Sequence, residues 1–150
     1  LIFLGLDILS SPWVLTVASL IPLGISMGLA EEYFPKWKTY FKWFAAIGFL
    51  AIAITSIGGM DSLKKIAVPL FHGVAGLVIF LGPFFAKKAP QGFFWVGIGG
   101  LLIGLGGIAL AFISMGKQLL FFSPEFVMTI LTPLLFLMTG AFALGFTKKG

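Results

Sequence analysis

The chain has 150 residues, 59% of them hydrophobic and 10% charged, no cysteine and a formal net charge of +5; its mean hydropathy is +1.12. Soluble domains carry charge on about a quarter of their residues, so this is the composition of a membrane chain, with room for one domain of about four to six spans at roughly 20 residues per crossing. Without cysteine there are no disulfides, thiolate catalysis or cysteine-held clusters, without arginine and asparagine no guanidinium fork for phosphate and no N-glycosylation acceptor, and ten lysines scattered over short loops make no basic face for nucleic acid.

Residues 1–9, LIFLGLDIL, are too short to cross a bilayer and lack the basic start of a signal peptide. They are expected to lie in the interface or to finish a longer segment. The first span is expected over about 12–30, opened by Ser11 as N-cap and Pro12 as first helical residue, and closed before Glu31 and Glu32. The segment EEYFPKWKTYFK, residues 31–42, mixes acids, lysines and five aromatic rings. It reads as an anchor lying along the membrane surface, or as a docking surface for a partner subunit or an anionic lipid headgroup.

A second span is expected over about 41–60 and a third over about 63–86, capped by Asp61 and Ser62 and ended by Lys87, Lys88 and Pro90. The fourth covers about 92–115. The fifth covers about 125–146, opened by Ser123 and Pro124 and ended by Thr147, Lys148 and Lys149. Trp13, Trp37, Trp43 and Trp95 fall at or just outside span ends, where amphipathic rings settle at headgroup level. Pro22, Pro69, Pro83 and Pro133 would bend three of the spans. The fold expected is therefore all-α: a single polytopic membrane helix bundle of about five transmembrane helices, with four as the alternative.

With five spans, Lys36, Lys38, Lys42, Lys87, Lys88, Lys148 and Lys149 share one side and Lys64, Lys65 and Lys117 the other. The lysine-rich side reads as cytoplasmic, or its organellar equivalent, which puts the N-terminus outside and the C-terminus inside. Asp7, Asp61 and Glu125 neutralise the outer side. A bacterial inner membrane and an organellar membrane are both compatible with this pattern.

His72 is the only histidine and the only ionisable side chain away from the span ends, about six or seven residues into the third span, roughly 10 Å along the axis. An unpaired ionisable group in hydrocarbon is costly, which makes it a functional candidate. In PLFHGVAGL, residues 69–77, Pro69 frees a carbonyl one turn back, while Gly73 and Gly76 clear space beside the imidazole. A haem or chlorophyll could approach there with His72 as axial ligand. Alternatively, neutral His72 bonds a carbonyl or hydroxyl on a neighbouring helix, or serves as a proton relay or substrate group. A lone histidine makes no protein-only metal site.

The fourth span carries Gly97, Gly100, Gly104, Gly107, Ala111 and Ser114 at spacings of 3, 4, 3, 4 and 3, all on one helix face. Each glycine costs about 1 kcal/mol in a helix relative to alanine, so the stripe makes sense where close backbone contact compensates. Its spacing predicts a near-parallel or near-antiparallel neighbour. Gly24 with Gly28, and Gly140 with Ala143, offer further small faces, more than one small bundle consumes.

No set of residues names a reaction. Gly104, Gly106 and Ala109 fit a dinucleotide pattern only formally, since they sit inside an apolar span. No G-x-S-x-G occurs, and the adjacent Glu31 and Glu32 diverge by about 100° on a helix. The expectation is a small non-catalytic subunit in contact with the lipid bilayer and with other integral membrane subunits. Its rivals are a small carrier of a hydrophobic or weakly polar substrate, and a tetrapyrrole-holding subunit using His72.

Overall fold

The computed structural model describes residue 8, residues 11–114 and residues 123–147, with the side chains of residues 109–114 and of Pro124 left undescribed. Expectations resting on Asp7, Lys117, Lys148 and Lys149, and on the side chains of Ala111 and Ser114, lie outside the described residues. Among the described residues the structure is helical throughout its regular elements. Five helices follow one another: α1 (Pro12–Tyr33), α2 (Lys38–Ile57), α3 (Asp61–Phe85), α4 (Phe94–Ser114) and α5 (Pro124–Thr147). Four of them, α1, α2, α3 and α5, are long and apolar enough to cross a membrane, while the apolar stretch Phe94–Ile108 of α4 is shorter.

The helix ends follow from local chemistry. Pro12 starts α1, where a missing N–H costs nothing, and the extended Ser11 accepts the Leu15 N–H through its carbonyl rather than capping with its hydroxyl. Ser123 does cap α5: its Oγ accepts the Phe126 N–H at 3.2 Å. Between α2 and α3, Gly59 adopts φ +66° and the Met60 N–H reaches back to the Thr55 carbonyl. This Schellman closure uses a left-handed residue, the conformation glycine adopts without strain.

Three boundaries differ from the sequence reading. Helix α1 runs through Glu31, Glu32 and Tyr33 instead of stopping at 30, and α2 starts at Lys38, so the expected surface segment 31–42 shrinks to a link over 34–37. Charges and aromatic rings mark where a chain leaves hydrocarbon, but helical hydrogen bonds continue into the interface. Lys42 Nζ donates to Glu31 Oε1 at 2.8 Å across this corner. At α3, Met60 occupies the cap position, accepting the Lys64 N–H, and Asp61 sits in the first turn paired with Lys64 at 2.6 Å. A carboxylate there suits the positive end of the helix dipole.

The chain divides into two compact units, residues 1–75 and 76–150, with the boundary inside the continuous helix α3. In the first unit, α1 buries Thr16, Ser19, Pro22, Leu23, Ser26, Leu29 and Ala30, a face of small and hydroxylated side chains. The antiparallel α2 buries Ala45, Gly48, Ile52, Thr55 and Ser56. Leu23, Ala45 and Ala75 form a core flanked by Met27, Phe44, Phe49 and Phe71. The two buried serines of α1 bond inward to their own helix, Ser19 to the Thr16 carbonyl and Ser26 to that of Leu23, which satisfies their protons without a partner helix.

In the second unit, α4 lies between the end of α3 and α5 and meets them through opposite faces. A Cβ on Gly97 would stand 2.8 Å from the Phe80 carbonyl oxygen, and one on Gly100 2.6 Å from the Phe80 nitrogen. On the other side, Gly99 abuts the Phe142 ring, Gly106 the Leu134 side chain, and Val96 presses on Gly145. These pairs, with the edge-to-face rings of Phe93 and Phe146, run in constant antiparallel register. Glycine on both faces is what allows neighbours to approach α4 from both sides.

Candidate functional site

His72 lies 11 residues beyond Asp61 on the 25-residue α3, about 16 Å along its axis and close to its middle. The helix begins in the polar residues before the apolar stretch, which opens at Ile66, six residues before His72. Phe71 packs on Gly48, which sets His72 level with the middle of α2. The ring is half-buried, and its Nδ1 is closed off with no hydrogen-bond partner among the described residues. No hydrogen bond from Nε2 to a described residue is present either. Ser56 Oγ is the other buried polar side-chain atom without a partner. It lies 8 residues from Gly48 along α2, about 12 Å away in depth, so the two do not combine into one site.

Of the small residues beside His72, Gly73 is exposed and Gly76 half-buried, and a Cβ on either would meet no heavy atom within 4 Å. The space expected beside the imidazole is therefore present at Gly73 in the first unit; Gly76 belongs to the second. The nitrogen chemistry does not suit axial ligation of a tetrapyrrole metal. Ligation through Nε2 moves the ring proton to Nδ1, and ligating histidines donate that proton to an acceptor, which Nδ1 lacks among the described residues. Ligation through Nδ1 meets an atom already closed off by its surroundings. Among the described residues no group of three histidine, cysteine, aspartate or glutamate side chains could hold a metal ion.

The glycine stripe of α4 is used in part. Gly97 and Gly100 are buried against α3, whereas Gly104 and Gly107 have no heavy atom within 4 Å of a Cβ position. The sequence reading missed Gly99 and Gly106 on α4 and Gly145 on α5, which make the contacts between these two helices; the signal on α4 was the second glycine row, Gly99 and Gly106, seven residues apart on its opposite face. On α1, Gly24 and Gly28 stand on the face opposite Ser19 and Ser26, exposed and meeting nothing within 4 Å. Gly140 and Ala143 on α5 are likewise exposed, while Ala141 and Gly145 are buried.

The tryptophans lie at helix ends. Trp13 is the second residue of α1, Trp37 immediately precedes α2 and Trp43 stands in its second turn, all exposed. Trp95, the second residue of α4, is half-buried and stacks on Phe94 with centroids 5.3 Å apart. Trp37 on the link between α1 and α2 and Tyr40 in the first turn of α2 sit with rings 6.1 Å apart, beside the exposed Lys36 and Lys38.

No protein family, curated protein or solved structure matches this chain.

Proposed function

We propose that the chain is a non-catalytic, multi-pass membrane subunit whose task is to pack against other membrane-embedded helices in a larger complex. The observation that carries this reading is the pair Gly24 and Gly28. They occupy the face of α1 opposite its packed hydroxyl face, and a Cβ on either would meet nothing within 4 Å. An exposed glycine weakens a helix by about 1 kcal/mol relative to alanine and is compensated in hydrocarbon only by close contact with another backbone. Gly104, Gly107 and Gly140 repeat the pattern on α4 and α5. In this reading all five helices cross the bilayer. The segments with Lys36, Lys38, Lys42, Lys87 and Lys88 face the cytoplasm or its organellar equivalent, and the exposed tryptophans hold the helix ends at headgroup level.

Mild-detergent purification from native membranes tests the proposal. The expected result is co-purification with larger membrane proteins in fixed stoichiometry, abolished by Gly24→Leu with Gly28→Leu while the isolated chain keeps its helical content. A solitary monomer, unaffected by the double substitution, would sink the subunit reading. A solitary chain that carries substrate flux in vesicles would instead establish a carrier.

A further inference from the structure

The second unit carries its charge unevenly. Residues 76–150 hold five lysines and a single acidic side chain, Glu125. Glu125 is the second residue of α5, and Thr147 closes that helix 22 residues later, about 33 Å away along the axis. The rings of Phe93 and Phe146 meet with centroids 6.1 Å apart, so the end of α5 lies beside the start of α4, remote from Glu125. The link over 86–93 joins α3 to α4 at this same end and carries Lys87 and Lys88. Both lysines are exposed, and neither makes an ion pair among the described residues. The sequence after Thr147 reads Lys148, Lys149 and Gly150 and contains no acidic side chain.

The rings around the two lysines indicate what this end meets. Phe85 is 70% exposed and Phe84 56% at the close of α3, and Phe94, which opens α4, is 46% exposed and stacks on Trp95. Large rings left bare at the ends of apolar helices belong at the boundary between acyl chains and headgroups. Lys87 and Lys88 follow Phe85 by two and three residues, which brings their ammonium groups to the level of the lipid phosphates at the reach of a lysine stem. Lys88 has φ +66°, a backbone conformation that glycine would adopt without strain. Cations here also offset the negative end of the α3 dipole, but that role needs neither the bare rings nor an end free of carboxylates.

Charge decides between lipids. In phosphatidylcholine each phosphate carries its own ammonium group, whereas phosphatidylglycerol leaves its phosphate uncompensated, and a cation close to such a surface is attracted strongly enough to change occupancy about fivefold. We propose that Lys87 and Lys88, flanked in the chain by the exposed Phe85 and Phe94, form a docking surface for the headgroups of anionic phospholipids. The inference rests on the membrane reading of α3 and α5 and not on partner subunits, so it stands or falls on the isolated chain whatever co-purification shows.

Trp95 lies next to Phe94 and reports on this end. In a full-length chain carrying Trp13→Phe, Trp37→Phe and Trp43→Phe it is the sole tryptophan, and its fluorescence can be quenched in lipid nanodiscs by phosphatidylglycerol or phosphatidylcholine brominated on the same acyl chains. The glycerol lipid should quench at the lower mole fraction, and this preference should fade near 1 M salt, where the screening length is about 3 Å. Lys87→Gln with Lys88→Gln should lower the preference at least about fivefold with helical content unchanged by circular dichroism, while Lys64→Gln with Lys65→Gln, at the start of α3, should leave it as it was. Equal quenching by the two lipids, a preference that survives the loss of Lys87 and Lys88, an equal loss with the Lys64 and Lys65 pair, or a Trp95 that neither lipid reaches would each overturn the proposal.

Discussion

Replacing Gly100 by alanine isolates the closest helix contact in the second unit. A methyl there would stand 2.6 Å from the Phe80 nitrogen and 2.8 Å from the Ile79 carbonyl carbon. Both are backbone atoms of α3, so no side-chain rotation relieves the overlap. Ordinary non-bonded carbon contacts lie at about 3.5–4.0 Å, and α3 and α4 would have to separate by roughly 1 Å. Overpacking of this kind costs about 1–3 kcal/mol, and the better helix propensity of alanine offsets about 1 kcal/mol of it. The net expectation is a loss of about 0–2 kcal/mol. Gly104→Ala is the matched control, since a Cβ there meets nothing within 4 Å and only the propensity gain of about 1 kcal/mol applies. Reversible unfolding in mixed micelles, followed by circular dichroism, should separate the two variants by about 1–3 kcal/mol. Equal stabilities would refute the backbone contact at Gly100 and with it the packing assigned to α4.

Two further outcomes follow from the same structure. Ser56 Oγ is buried and unpartnered, a defect worth about 1–3 kcal/mol, so Ser56→Ala should leave the unfolding midpoint unchanged or raise it; a clear loss of stability would reveal an acceptor the fold does not provide. Because the chain has no cysteine, single cysteines at Lys36, Lys64, Lys87 and Lys148 can be labelled without background by a membrane-impermeant maleimide. Lys36→Cys, Lys87→Cys and Lys148→Cys should label from one side and Lys64→Cys from the other, and labelling of Lys148→Cys together with Lys64→Cys would mean that α4 does not cross.

The helices were legible because their causes are local: apolar runs of membrane length, Pro12 after Ser11, a hydroxyl at Ser123 before α5. Helix ends were less so. Glu31 and Glu32 were read as stops, yet a helix in the headgroup region keeps its own hydrogen bonds whatever its side chains, and α1 continues to Tyr33. His72 was legible as a candidate from its type and its place in an apolar span, but the burial of its Nδ1 without a partner among the described residues was not.

The glycines show most clearly what spacing can and cannot convey. Positions three and four apart declare a face that permits close approach, and α4 has two such faces. The stripe from Gly97 and the row through Gly99 and Gly106 are equally regular in sequence, and both are used, by α3 and by α5. Regularity therefore does not distinguish a face filled by the chain itself from one left for another molecule. The distinction appears only when each position is asked what an added methyl would touch. Gly97, Gly99, Gly100 and Gly145 answer with atoms of their own unit, and their presence is explained by folding. Gly24, Gly28, Gly104, Gly107 and Gly140 answer with nothing. Their own unit gives no return for the helix propensity they forgo, and it is on these positions rather than on the stripe as a whole that the proposed subunit reading rests.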